Sequence, residues 1–204
     1  MVKEAVKSLV LLMLAVGAVQ AQTSYPMLMT LEPIAIQVGT TSDMVVKSRY
    51  SMWGASKVMV SGNGVTGVIV HPEPPMPKEG EEVKEPSLTS LTITFTANPD
   101  AQPGVRDFKI FTDRGVSTVG QIVITRDPVV WDDVKTDTME GAKEFQVPAT
   151  LTGVFEKNED LDYFKFSGEA GQRLVIHCRC MRLQDRIHDL QTHADPIITI
   201  KNHL

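Results

Sequence analysis

The sequence predicts an all-β chain of sandwich type, and three observations carry that prediction. Leu88 to Ala97 alternates Leu91, Ile93 and Phe95 against Thr92, Thr94 and Thr96, the pattern of a strand with one buried face. The same period-two alternation returns in Asp162 to Phe166 and in Arg173 to Cys178. From residue 28 to residue 126 the candidate strands follow at short spacing with no helical periodicity between them, which argues for packed sheets.

The N-terminus reads as an export signal. Lys3 and Lys7 make a basic start beside Glu4, and Ser8 to Val19 is an almost unbroken apolar run. Val19-Gln20-Ala21 offers small residues where a signal peptidase reads, which predicts cleavage after Ala21 and a signal peptide over residues 1–21. The run is shorter than the roughly 20 residues that span a bilayer. An uncleaved anchor is the alternative. Gln22 in place of Cys argues against a lipoprotein.

The mature chain suffices for one or two domains of roughly 100 residues each. A hydrophobic fraction of 42% argues against disorder throughout. A net charge of -5 and a pI near 5.5 give no general attraction for polyphosphate or an anionic membrane. Nucleic acid is therefore not the expected partner. After signal cleavage no segment is long and apolar enough to predict a membrane span.

Residues 28–126 are expected to form the first unit. Its strands are Leu31 to Val38, Met44 to Arg49, Lys57 to Val60, Val65 to Val70, Leu88 to Ala97, Val105 to Thr112 and Gly120 to Thr125. Gly62-Asn63-Gly64 supplies a tight turn, since Gly and Asn accept positive φ. His71 to Ser87 is rich in Pro and Glu and is expected as an extended, solvated loop. A docking segment for an SH3- or WW-like groove is the sharper alternative. Asp127 to Lys143 is an acidic linker, with Trp131 expected to pack at the domain junction.

Both units carry a resemblance. Pro33-Ile34-Ala35-Ile36-Gln37-Val38-Gly39-Thr40, Ala101 to Ile110 and the Thr112 to Ser117 turn are similar to transcription-factor-type immunoglobulin (TIG-like) modules. Ala149 to Cys180, ATLTGVFEKNEDLDYFKFSGEAGQRLVIHCRC, resembles the bacterial pre-peptidase C-terminal domain. That family is a small β-sandwich appended to secreted proteases and other exported proteins. The resemblances imply an immunoglobulin-like sandwich over residues 28–126, a linker over 127–143, and an incomplete jelly-roll-like β-sandwich over 144–204. The second unit departs from its family twice. Leu183, Ile187 and Leu190 lie in an insertion before Asp195-Pro196, and the chain stops after Ile197 to Lys201, where the family continues with further strands. The expectation is a truncated product or a fragment with a stable first unit and a marginal second one.

Chemistry is sparse. There is no G-x-S-x-G elbow, no H-E-x-x-H helix and no Gly-rich phosphate loop. Zinc on His177, Cys178, Cys180 and His188 is opposed by strand geometry, which turns His177 and Cys178 to opposite faces. Cys178 and Cys180, two apart on a strand, have Cα atoms roughly 6.5–7 Å apart, at the edge of disulfide geometry. They are expected as small core residues beside Leu174 and Ile176. A strained bridge, a metal pair or an intermolecular bridge are the alternatives. The acidic loop offers Asn158, Asp160 and Asp162, with Glu156, Glu159 and Asp195 nearby in sequence, hard oxygen ligands of the kind calcium takes. Some pre-peptidase domains bind calcium in a comparable loop, and a solvated turn capped by its own Asp and Asn is the alternative. No other cofactor is expected. The implied role is a non-catalytic, secreted, periplasmic or cell-surface protein that contacts extracellular protein or polysaccharide. The alternative is the N-terminal accessory fragment of a larger secreted hydrolase.

Overall fold

The computed structural model describes residues 25–72, 86–132, 136–179 and 196–202. The expected export signal, most of the His71 to Ser87 loop, Cys180, the insertion with His188, and Asp195 lie outside the described residues. Every regular element among the described residues is a strand, so the fold is all-β as expected.

Two sheets face each other in the first unit. One has the order β1 (Leu28–Glu32), β3 (Thr41–Ser48), β6 (Ser90–Ala97), β5 (Val65–Val70), all antiparallel. The other runs β2 (Ala35–Gln37), β9 (Gly120–Thr125), β7 (Gly104–Thr112), β4 (Lys57–Val60), with β8 (Gly115–Val116) paired to the end of β7. The sequence expectation of one strand from Leu31 to Val38 is corrected. Pro33 has no N–H to give a ladder, so β1 ends at Glu32. After it the chain crosses to the opposite sheet, where β2 runs parallel to β9.

The alternation in β6 does what period two requires. Leu91, Ile93 and Phe95 are buried and Thr92, Thr94 and Thr96 are half-buried on the outer face. Met44 and Val46 of β3 join them from one sheet, and Phe108, Ile110, Ile122 and Ile124 from the other. Phe95 meets Phe108 edge to face across the gap, with centroids 5.4 Å apart and planes at 70°. Burying each such side chain contributes about 1.5–3 kcal/mol. Gly120 sits where a Cβ would strike the Phe108 ring and the Leu28 side chain.

The second unit is built from two short parallel ladders. β10 (Val129–Trp131) pairs with β12 (Thr150–Thr152), and β11 (Lys143–Glu144) pairs with β13 (Phe164–Lys165). β10 and the first residue of β11 fall inside the expected linker over residues 127–143. Trp131 is half-buried within β10, and its carbonyl accepts from Lys143 Nζ. Phe145 gathers a half-buried aromatic cluster, with the Phe164 and Phe166 centroids at 6.5 and 5.4 Å. Those two rings share a side, as the alternation implies.

Arg173 to Cys178 departs from expectation. It makes no ladder, Leu174, Val175 and Ile176 are 36%, 79% and 47% exposed, and Cys178 is an exposed free thiol. Ile197, Ile198 and Ile200 are likewise exposed outside any strand. The physical reason is the same for both segments: neither has a neighbouring strand among the described residues to pair its backbone or cover its apolar side chains.

Candidate functional site

The strongest polar constellation joins the presumed linker to the acidic loop. Tyr163 N–H donates to the Thr136 carbonyl at 2.9 Å, just before β13, and this fixes Thr136 beside Asp162. Asp132 is set from the other ladder, where its N–H donates to the Thr152 carbonyl at 2.8 Å. The Thr136 hydroxyl, on a residue only 1% exposed, lies 3.2 Å from Asp132 Oδ1 and 3.3 Å from Asp162 Oδ1. One proton serves two carboxylates there, so only one can be satisfied at a time.

The acidic loop is shaped by Asp160. Its Oδ2 accepts from Glu156 N–H at 2.8 Å, and Glu159 takes a positive φ of 58° to let the chain turn. The Asp160 side chain is then only 2% exposed. Among the described residues its Oδ1 has no hydrogen-bond partner and lies 3.4 Å from the Lys157 ammonium. Lys157 also reaches Asp137 Oδ2 at 3.1 Å. Asp137, Asp160 and Asp162 each bring a carboxylate oxygen within 4.8 Å of the others.

The electrostatics follow from this crowding. Burial, then the charge of Asp132 and a hydrogen bond with it, push Asp162 up from 3.8 to about 6, with Asp160 adding and Thr136 opposing. The Glu156 N–H holds Asp160 below the usual carboxylate range, assisted by Lys157 and opposed by burial. Lys157 is raised, first by its hydrogen bond to Asp137. Among the described residues, Asp137 and Asp160 both meet the Lys157 ammonium, and Asp162 adds a third carboxylate to their cluster. A divalent cation taking oxygen ligands would relieve that excess, and calcium accepts such irregular sets.

The sequence expectation was Asn158, Asp160 and Asp162. Asp160 and Asp162 stand in the carboxylate cluster, Asn158 is an exposed residue of the same loop, and Asp195 lies outside the described residues. Asp132, Thr136 and Asp137 were missed. Their signal was the acidic run itself, which can bring ligands as well as solvate a connection. Comparisons of the chain with protein-family models, with curated proteins and with solved structures return no match.

Proposed function

We propose that the chain is a non-catalytic, exported β-sandwich protein that contacts protein or polysaccharide outside the cytoplasm, with calcium steadying its second unit. The carboxylate cluster around Thr136 carries this reading. Its ligands come from two separate segments, so a bound cation ties Asp137 to Asp160 and Asp162, with Asp132 held beside them through the Thr136 hydroxyl. Partly exposed oxygen sites of loose geometry suit the weak calcium affinities, about 10⁻⁴–10⁻³ M, of extracellular modules. The cytoplasm does not supply calcium at that level. The export signal at residues 1–21 agrees with this placement.

No helix among the described residues is long and apolar enough to cross a membrane. The test has two arms. N-terminal sequencing of the exported form should begin at Gln22, and calcium titration of that form should raise its melting temperature with a dissociation constant near the millimolar range. Intact Met1 on a cytoplasmic protein, or a melting temperature indifferent to calcium, would count against the reading. The exposed Leu174 to Ile176 and Ile197 to Ile200 favour a second reading, an accessory fragment of a larger secreted hydrolase whose further strands cover them. An open frame encoding a catalytic domain downstream of Leu204 would decide for it.

A further inference from the structure

One end of the first sandwich concentrates its exposed aromatic side chains. Tyr25 is 53% exposed and Tyr50 38%, and Trp53 is half-buried in the loop after Tyr50. The loops at the opposite end, residues 38–40, 61–64 and 98–103, contain no aromatic residue. The aromatic loops touch in a closed circuit. Arg49 N–H donates to the Met27 carbonyl at 2.8 Å, so the chain after β3 lies against the chain before β1. Thr118 N–H donates to the Pro26 carbonyl at 3.0 Å on the other flank. Tyr25 Cβ stands 3.9 Å from where a Cβ on Gly115 would be. The circuit closes at Asp113, whose Oδ2 stands 2.7 Å from where a Cβ on Gly54 would be, at a φ of +75°. Glycine at 54 makes the room and the turn together.

Asp113 has no hydrogen-bond or ion-pair partner among the described residues. The circuit therefore offers flat aromatic faces beside an open carboxylate. A pyranose ring needs both, a π-face for its C–H face and a strong acceptor for its hydroxyls. Protein interfaces are depleted in Asp at their cores, whereas a sugar's hydroxyls call for such an acceptor.

We propose that this circuit is a glycan-binding tip, with Tyr25, Tyr50 and Trp53 stacking on sugar rings and Asp113 accepting from sugar hydroxyls. The inference rests on the reading of the chain as an extracytoplasmic contact protein. Full-length mature protein is tested by affinity electrophoresis against xylan, laminarin, hydroxyethyl cellulose and glycol chitin. In a Trp131→Phe background, Trp53 is the remaining tryptophan of two and reports by fluorescence.

The expected result is retardation by at least one glycan, with a change in Trp53 emission. Tyr25→Ala, Tyr50→Ala and Asp113→Asn should each weaken binding about tenfold with circular dichroism unchanged. Glycan binding at full strength by the Tyr25→Ala/Tyr50→Ala pair would overturn the tip and leave the wider reading of polysaccharide contact standing. Retardation by none of the four glycans would also overturn it, and so would a protein ligand that depends on the same tyrosines. The wider reading would then rest on protein contact.

Discussion

The two units use the same alternating pattern with opposite results. In the first, Ile93, Phe95 and Ile110 are wholly buried because each strand has a neighbour and a facing sheet. In the second, Leu174 and Ile176 alternate just as well, yet stay 36% and 47% exposed without a ladder. Period two marks a chain able to be a strand. It becomes one only where another strand takes its backbone groups and another layer takes its apolar face. The comparison teaches that stability in this molecule is set by partnering, not by local propensity.

The largest effect that can break the comparison is a core truncation. Phe108→Ala should destabilise the first unit by about 3–5 kcal/mol, because it empties the space against Phe95. Val175→Ala, at a side chain 79% exposed, should stay within about 0.5 kcal/mol. Chemical denaturation of both variants checks this, and equal losses would mean that Val175 is buried in solution. Gly120→Ala comes next. Its new methyl must displace the Phe108 ring, an overpacking cost of about 1–3 kcal/mol.

Much of the first unit was legible in the sequence. Lys57–Val60, Val65–Val70 and Gly120–Thr125 are expected and observed with the same bounds, because alternation and flanking Gly turns agree there. The sheet switch at Pro33 was not legible. A proline announces a break but not which sheet the next strand joins. In the second unit, parallel pairing joins β10 to β12 across 18 intervening residues, and no local pattern encodes such a partner. The candidate site was half legible for the same reason. Asp160 and Asp162 sit in one loop that reads as acidic, whereas Asp132 and Asp137 arrive from the other side through long-range backbone hydrogen bonds.

A smaller effect sharpens the contrast by proteolysis. Cleavage should begin among residues 167–179, which carry no ladder, while residues 25–72 and 86–126 persist. Mass spectrometry of early fragments locates the first cut. Calcium should slow cuts near residues 132–162 and leave the first unit's kinetics alone. At tenfold above its dissociation constant, calcium adds about 1.4 kcal/mol to a unit that binds it only when folded. Protection spread equally over both units would contradict a site confined to the second.

The smallest effect is the most specific, and it concerns protons. Asp162 is raised from 3.8 to about 6 when folded, chiefly by burial and by Asp132. Between those values the folded state holds a proton that the unfolded chain has released. Stability from this group is therefore lost as pH rises from about 4 to 6, and the loss persists above 6. Asp160 moves the other way, so its contribution is lost only as pH falls through the acid range, below this window. Asp162→Asn removes the titration while keeping the shape, and should flatten the second unit's melting temperature between pH 4 and 6. Calcium at pH 5 should release a proton from the native protein and not from the Asn variant, since a ligating carboxylate must be ionised. Calorimetry in two buffers of different ionisation enthalpy reads that proton directly. A calcium heat independent of buffer in the native protein would place the cation elsewhere than Asp162, and with it the tie between the two acidic segments.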